Sequence, residues 1–354
     1  MAVPLRTALA RGRPWPPSDG GRGHVPAPRP FAPPGVLRYD VELPPVRGDR
    51  DGDGSGVPMT VLKRADAERA PMVVFLHATG SSTEDVLPQA ARYAADGFVA
   101  VGVDARHHGR RRGEGEGRDT RARYGDALLR AWRAKQEGRE HAAPFLIDSA
   151  YDVCRAVRYF ADDPEPWGID ASRIGITGIS LGGMIGLLAA AADETLAVAA
   201  PMIGTQSFAW GLENDSWQAR AASLPGPVFE EARRARGTQG ALTPDDARAV
   251  YGAIAPGLLE HGDGECTIPL VLPRPLAIIN ASDDPRNPLG GVRTALAAAR
   301  ASSDASALFA VGQERTAHEC TPAMSALARA FLKRHLRGDD GAAPVAVPDG
   351  FVAL

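Results

Sequence analysis

Six short apolar runs punctuate the chain: PMVVFLHA (71–78), FVAVGVDA (98–105), RIGITGIS (173–180), TLAVAAPMI (195–203), RPLAIINAS (274–282) and SALFAVG (306–312). Each is nearly continuous rather than alternating, the pattern of a strand buried on both faces. Between most of them the apolar positions recur with helical spacing, over 84–96, 146–161, 181–192, 289–301 and 322–336. This alternation predicts an α/β architecture, a mostly parallel β-sheet flanked by helices. Two further β-like stretches, 36–43 and 57–63, precede it and are separated by the turn-rich RGDRDGDGSG.

The spacing breaks twice. About 68 residues separate the run at 98–105 from that at 173–180, and about 70 separate 195–203 from 274–282. Plain connections are far shorter, so both intervals must hold extra structure. The second carries helical stretches near 207–222, 226–236 and 244–255, and reads as a helical cap over the strand ends, where ligands bind in open α/β sheets. The expected organisation is an extension over 1–56 that could contain a first strand, a catalytic domain over 57–340 with its cap insertion at about 205–270, and a tail over 341–354. Residues 1–35, rich in Pro, Gly and Arg, read as flexible or polyproline-like.

Composition narrows the setting. A formal net charge of −3 gives no reason to expect nucleic acid or an anionic membrane as partner. No run approaches the ~18 apolar residues of a membrane-spanning helix, and Arg6 and Arg11 interrupt the start where a secretory signal would be apolar. Cys154, Cys266 and Cys320 are odd in number and widely spaced, which suggests free thiols. A cytoplasmic protein with a small-molecule substrate is the expectation.

The chemistry concentrates at four places. Gly178-Ile179-Ser180-Leu181-Gly182 is a G-x-S-x-G pentapeptide that ends a β-run and opens the helical LGGMIGLLAAAA. A strand-to-helix turn of this kind strains the serine and exposes its hydroxyl; the blander alternative is a serine that only caps the helix. Ser180 is therefore the candidate nucleophile, and it needs a base. Downstream stand only His261, His318 and His335. His335 falls in the terminal helix and His261 in a cap loop, whereas His318 follows a strand at the carboxyl edge of the sheet. Asp283 and Asp284 follow the preceding strand and give the chain order Ser, Asp, His; alignment by eye favours Asp284. The oxyanion would be held by the N–H of Leu181 and of Thr79, in the loop His77-Ala78-Thr79-Gly80.

The strand–His–x–T–G loop, GISLGG, DDPRNP and HECTP, in this order over about residues 57–337, resemble the α/β-hydrolase superfamily. More narrowly they are similar to dienelactone hydrolases and to the catalytic domains of prolyl-oligopeptidase-type enzymes. The resemblance implies the α/β-hydrolase fold and a serine hydrolase with the triad Ser180, Asp284 and His318, and needs no cofactor. The family usually has His-Gly where this chain has His77-Ala78, a departure that costs strain if the position needs a positive φ. His77 and the cap aromatics Phe208, Trp210 and Trp217 are candidates for the substrate pocket, although such aromatics often only hold a helix down.

Other features point elsewhere. Asp49, Asp51, Asp53 and Ser55 alternate like part of a calcium loop, but Thr60 or Leu62 stands where its glutamate should. His107, His108 and Asp104 lack the spaced ligand set of a metal site. Arg106, Arg110, Arg111 and Arg112 could meet an anionic substrate, but a solvated Arg/Glu loop is preferred. Cys320 reads as a packed thiol. The expected reaction is carboxylic-ester hydrolysis through an acyl-enzyme. The alternatives are a peptidase or acylaminoacyl-type amidase, for which the ~56 residues before Val57 leave no room for a propeller, and a non-catalytic binding protein on the same fold.

Overall fold

The computed structural model describes residues 3–15, 25–45, 56–111, 120–205, 207–338 and 345–354. Its strands are β1 (Arg29–Phe31), β2 (Val36–Leu43), β3 (Val57–Arg64), β4 (Ala70–Leu76), β5 (Val99–Val103), β6 (Ile169–Ile179), β7 (Leu196–Met202), β8 (Leu276–Ala281), β9 (Leu308–Gln313) and β10 (Phe351–Ala353). They form one sheet in the order β1-β2-β3-β5-β4-β6-β7-β8-β9-β10. The six strands from β5 to β9 run parallel, and antiparallel strands close both edges.

The helices are α1 (Val3–Ala10), α2 (Thr83–Ala95), α3 (Thr120–Gln136), α4 (Ile147–Asp162), α5 (Leu181–Ala192), α6 (Phe208–Glu213), α7 (Gln218–Ser223), α8 (Pro227–Ala235), α9 (Pro244–Ile254), α10 (Gly264–Val271), α11 (Leu289–Ser302) and α12 (Pro322–Arg337). Every residue of β4 is buried, because successive side chains enter different cores. Met72, Val74 and Leu76 join the core beneath α4, α5 and α11, while Val73 and Phe75 join that beneath α2 and α12. This is why the run read as continuously apolar. The two long intervals are filled by α3 and α4 in the first and by α6 to α10 in the second.

The ends of the chain depart from expectation. Val3–Ala10 is a helix, not a flexible segment: Leu5 and Leu9, one turn apart, are buried against the main core. Arg6 Nε donates to the Ala192 carbonyl at the end of α5 (2.7 Å), and Arg13 pairs with Asp148 at 2.7 Å. Three buried positions in eight residues, Leu5, Leu9 and Ala10, are too few for a periodicity to show, and the neighbouring prolines and glycines mask them. Within the C-terminal tail, Phe351–Ala353 pairs antiparallel with β9. The calcium-like segment around Asp49, Asp51, Asp53 and Ser55 lies outside the described residues, as does Arg112.

Candidate active site

The loops that follow β4, β6, β8 and β9 meet at the carboxyl edge of the sheet. After β6 the chain turns at Ser180, whose φ of +54° and ψ of −108° lie outside the ordinary regions for a residue with a Cβ. Two interactions hold this turn: Ser180 N donates to the Met202 carbonyl (2.9 Å), and Met184 N donates to the Ser180 carbonyl (2.9 Å). Glycine is required on both sides. A Cβ at Gly182 would stand 2.4 Å from the Leu76 carbonyl oxygen and 2.7 Å from that of His77, and one at Gly178 would lie 2.6 Å from the Gly182 carbonyl carbon. The elbow therefore packs backbone to backbone against the end of β4.

Ser180 Oγ lies 2.7 Å from His318 Nε2, and His318 Nδ1 lies 2.7 Å from Asp284 Oδ2. With a carboxylate accepting from Nδ1–H, Nε2 is left as the acceptor facing the hydroxyl. His318 stands before Thr321, whose hydroxyl accepts from Met324 N and caps α12. Two bonds tie its loop to the acid loop: Asp283 N donates to the Thr316 carbonyl (2.9 Å), and Arg315 N to Ser282 Oγ (2.9 Å).

Of the adjacent aspartates, Asp283 is exposed and accepts from Ser282 Oγ, whereas Asp284 is buried and faces His318. Asp284 also accepts from the backbone N–H groups of Arg286 (2.8 Å) and Asn287 (3.1 Å) and from Asn287 Nδ2 (2.9 Å). Burial pushes its pKa up, but His318 and these donors outweigh it, and the carboxyl titrates below its ordinary range.

Asn287 was not singled out in the sequence, although it stands in the quoted DDPRNP. Its amide donates to Asp284 and to the Ile203 carbonyl (2.8 Å), and its Oδ1 accepts from Arg220 of α7. Arg220, also unforeseen, thus joins the cap to the acid loop.

The loop after β4 is braced by His77, which is buried. Its Nδ1 donates to the Ala78 carbonyl (2.8 Å), and its Nε2 accepts from Ala105 N (3.0 Å). Burial lowers its pKa, in keeping with a neutral ring. Thr79 is half-buried in the turn that follows, where Ser81 N donates to the Ala78 carbonyl (3.1 Å). The positive φ falls on Gly80 rather than Ala78, so alanine after His77 carries no such strain. Leu181 is the first residue of α5, where helix N–H groups lack intrahelical partners.

The cap aromatics divide. Phe208 and Trp217 line a narrow cavity with Arg220 and Tyr251, whereas Trp210 lies over the glycines at the start of α11. The arginine loop is likewise not the solvated segment expected. Arg106 and Arg111 are buried, both 2.8 Å from Asp152, which is 1% exposed. Arg110 is partly exposed, and its backbone N donates to Asp104 (3.0 Å). Among the described residues, no group of three or more His, Cys, Asp or Glu side chains is placed to hold a metal. No helix among them is long and apolar enough to cross a membrane.

The architecture is that of the α/β-hydrolases. Solved structures with the same fold include an acetyl xylan esterase from Paenibacillus sp. R4, with TM-score 0.59 and 19% identity over 94% of this chain and 92% of that one. Another is acetyl xylan esterase 1 from Thermoanaerobacterium sp. JW/SL YS485, with TM-score 0.58 and 16% identity over 93% and 91%. At these identities the likeness is one of fold. The family model described as X-Pro dipeptidyl-peptidase (S15 family) matches residues 53–225, a span that contains Ser180 but stops short of Asp284 and His318. "Putative esterase YitV" of Bacillus subtilis (strain 168) is 27% identical over 156 residues, 44% of this chain. The match spans about half (53%) of that curated relative's length.

Proposed function

We propose that this protein is a serine hydrolase that cleaves a carboxylic ester through an acyl-enzyme. The observation that carries the reading is the unbroken line Ser180 Oγ–His318–Asp284, with 2.7 Å at each step. His318 takes the proton as Ser180 attacks the carbonyl, then returns it to the leaving alkoxide and activates water for deacylation. Asp284 holds the imidazole in the required tautomer and stabilises its cation. The N–H groups of Leu181 and Thr79 face the oxyanion. The esterase names of the relatives support ester over amide, while the S15 match keeps peptide cleavage as the alternative.

In this reading residues 57–340 are the catalytic body and about 205–270 its cap. A reducing, cytoplasmic setting fits three cysteines that are all free. The substrate is a small molecule and no cofactor takes part. Cys320 is no rival nucleophile: burial raises its thiol pKa, and its sulfur rests 3.7 Å from Met202 Sδ.

The direct test is labelling with a fluorophosphonate and peptide mapping. Modification is expected at Ser180 and lost in His318→Ala; well-folded protein that resists the probe would overturn the reading. A second expectation concerns the elbow. Gly182→Ala would force the start of α5 away from Leu76 and His77, whose backbone cannot yield as a side-chain tip would. The strain is expected to cost about 1–3 kcal/mol of stability, and kcat should fall with it because Leu181 N–H moves. Urea midpoints and steady-state kinetics on a p-nitrophenyl ester check both; unchanged kcat would argue against the oxyanion role of Leu181.

A further inference from the structure

The cavity beneath the cap is lined by Ser207, Phe208, Gly211, Ser216, Trp217, Arg220, Tyr251, Arg286 and Pro288. Arg220 is buried, and among the described residues its guanidinium donates to neutral oxygens, the Arg286 carbonyl (2.9 Å) and Asn287 Oδ1, and lies 5.6 Å from the Phe208 ring centroid. Among the described residues no carboxylate forms an ion pair with it. The nearest acids are committed elsewhere: Asp284 to His318, and Asp263 to the backbone N–H groups of Phe208, Ala209 and Gly264. A buried cation without an ion-pair partner is costly; burial, with Arg286 adding to it and the more distant charges of Asp284 and Asp263 only partly opposing it, lowers the Arg220 pKa to about 10. Arg286, exposed at the cavity mouth, adds a second positive charge, and none of the described lining residues is acidic.

Three more polar atoms lining this cavity are buried with no partner among the described residues: Ser207 Oγ, Trp217 Nε1 and Tyr251 Oη. Such orphans are few in native proteins. Trp Nε1–H and the guanidinium only donate, and the two hydroxyls can donate. Burial raises the Tyr251 pKa, which keeps its proton in place. A set of donors around a cation that has no ion-pair partner calls for an acceptor that carries negative charge.

We infer that this cavity is a carboxylate site, and that the substrate is an ester carrying a second, ionised acid group that docks on Arg220, Trp217, Tyr251 and Ser207. The assignment rests on the ester-hydrolase reading for its substrate, but the anion site stands on the cavity alone. Through Asn287, the same arginine touches the loop that holds Asp284, so the docked anion also steadies the acid.

Two arms test this on the full chain. The first compares kcat/KM for the p-nitrophenyl monoester of glutaric acid with that for p-nitrophenyl valerate, which is neutral. Wild type is expected to favour the acidic ester by about tenfold or more, as a charge-assisted contact warrants. The ratio should fall towards one in Tyr251→Phe and in Trp217→Phe, which delete a donor that holds nothing else in the fold. Arg220→Met should do the same, and Arg220→Lys should keep part of the preference.

The second arm measures calorimetric binding of glutarate to the Ser180→Ala protein against chloride and phosphate at matched ionic strength. Saturable glutarate binding, weakened by Tyr251→Phe, is the supporting result. If glutarate binds but neither ester is cleaved, the anion site stands and the hydrolase reading falls. If both esters are cleaved without preference and glutarate does not bind, the carboxylate site is overturned and the hydrolase reading survives. Phosphate binding as tightly as glutarate, with no ester preference, would overturn the substrate assignment in favour of a free anion.

Discussion

Ser180→Ala is expected to lower ester turnover by about 10⁴- to 10⁶-fold while leaving the fold intact. The hydroxyl makes one side-chain contact, with His318 Nε2, and alanine meets the strained φ of +54° with the same Cβ that serine has. The turn is held by backbone bonds to Met202 and Met184 that the substitution does not touch. Urea unfolding should therefore show a midpoint close to that of wild type. The loss should appear in kcat, because the hydroxyl forms its new bond only as the reaction proceeds. Asp284→Asn is expected to follow with roughly a 10⁴-fold loss, since an amide at Asp284 favours the wrong imidazole tautomer. Turnover persisting near the wild-type rate in Ser180→Ala would mean that another group attacks the carbonyl. Half-buried Cys320, with its thiol pKa raised, is poorly suited to take that part.

Ser180, Asp284 and His318 were legible because each follows an apolar run directly, and parallel strands carry their carboxyl ends to one edge whatever lies between. The same logic located the loop at Thr79. The two-faced burial of β4 and β5 was legible from unbroken apolar runs. What the sequence concealed were contacts across long separations. Nothing local marks Leu5 and Leu9 as core residues, because the surface that covers them comes from α4 and α5. Arg220 and Asn287, 67 positions apart, meet only because the cap folds back over the acid loop. The arginines after β5 misled for a related reason. Arginine is usually exposed, and the carboxylate that buries Arg106 lies 46 residues downstream on α4.

That buried cluster bears on the site, and its disruption carries the largest expected stability effect. Asp152 stands between the guanidinium groups of Arg106 and Arg111, with Arg155 at 4.0 Å and Asp148 reaching Arg106 from the next turn of α4 at 3.9 Å. Asp152→Asn keeps the shape and removes the charge, which leaves the buried cations under-compensated. Removing one partner of such a pair costs about 3–5 kcal/mol, to be read from urea unfolding at neutral pH.

The pH dependence supplies a check that a packing defect would not pass. Burial pushes the Asp152 pKa up, but the neighbouring arginines overcome this and hold it well below its ordinary value. Its contribution is therefore complete above the unfolded-state pKa of ~3.9 and is lost as pH falls through the lower folded value. The gap between wild type and Asp152→Asn should be widest at pH 6 and should narrow towards pH 3; a constant gap would mean that charge is not the cause.

The effect should reach catalysis as well. Arg106 fixes the segment whose Ala105 N–H bonds His77, and His77 in turn holds the Ala78 carbonyl before Thr79. Loosening the cluster frees the loop proposed to face the oxyanion, so kcat should fall at temperatures where Asp152→Asn is still fully folded.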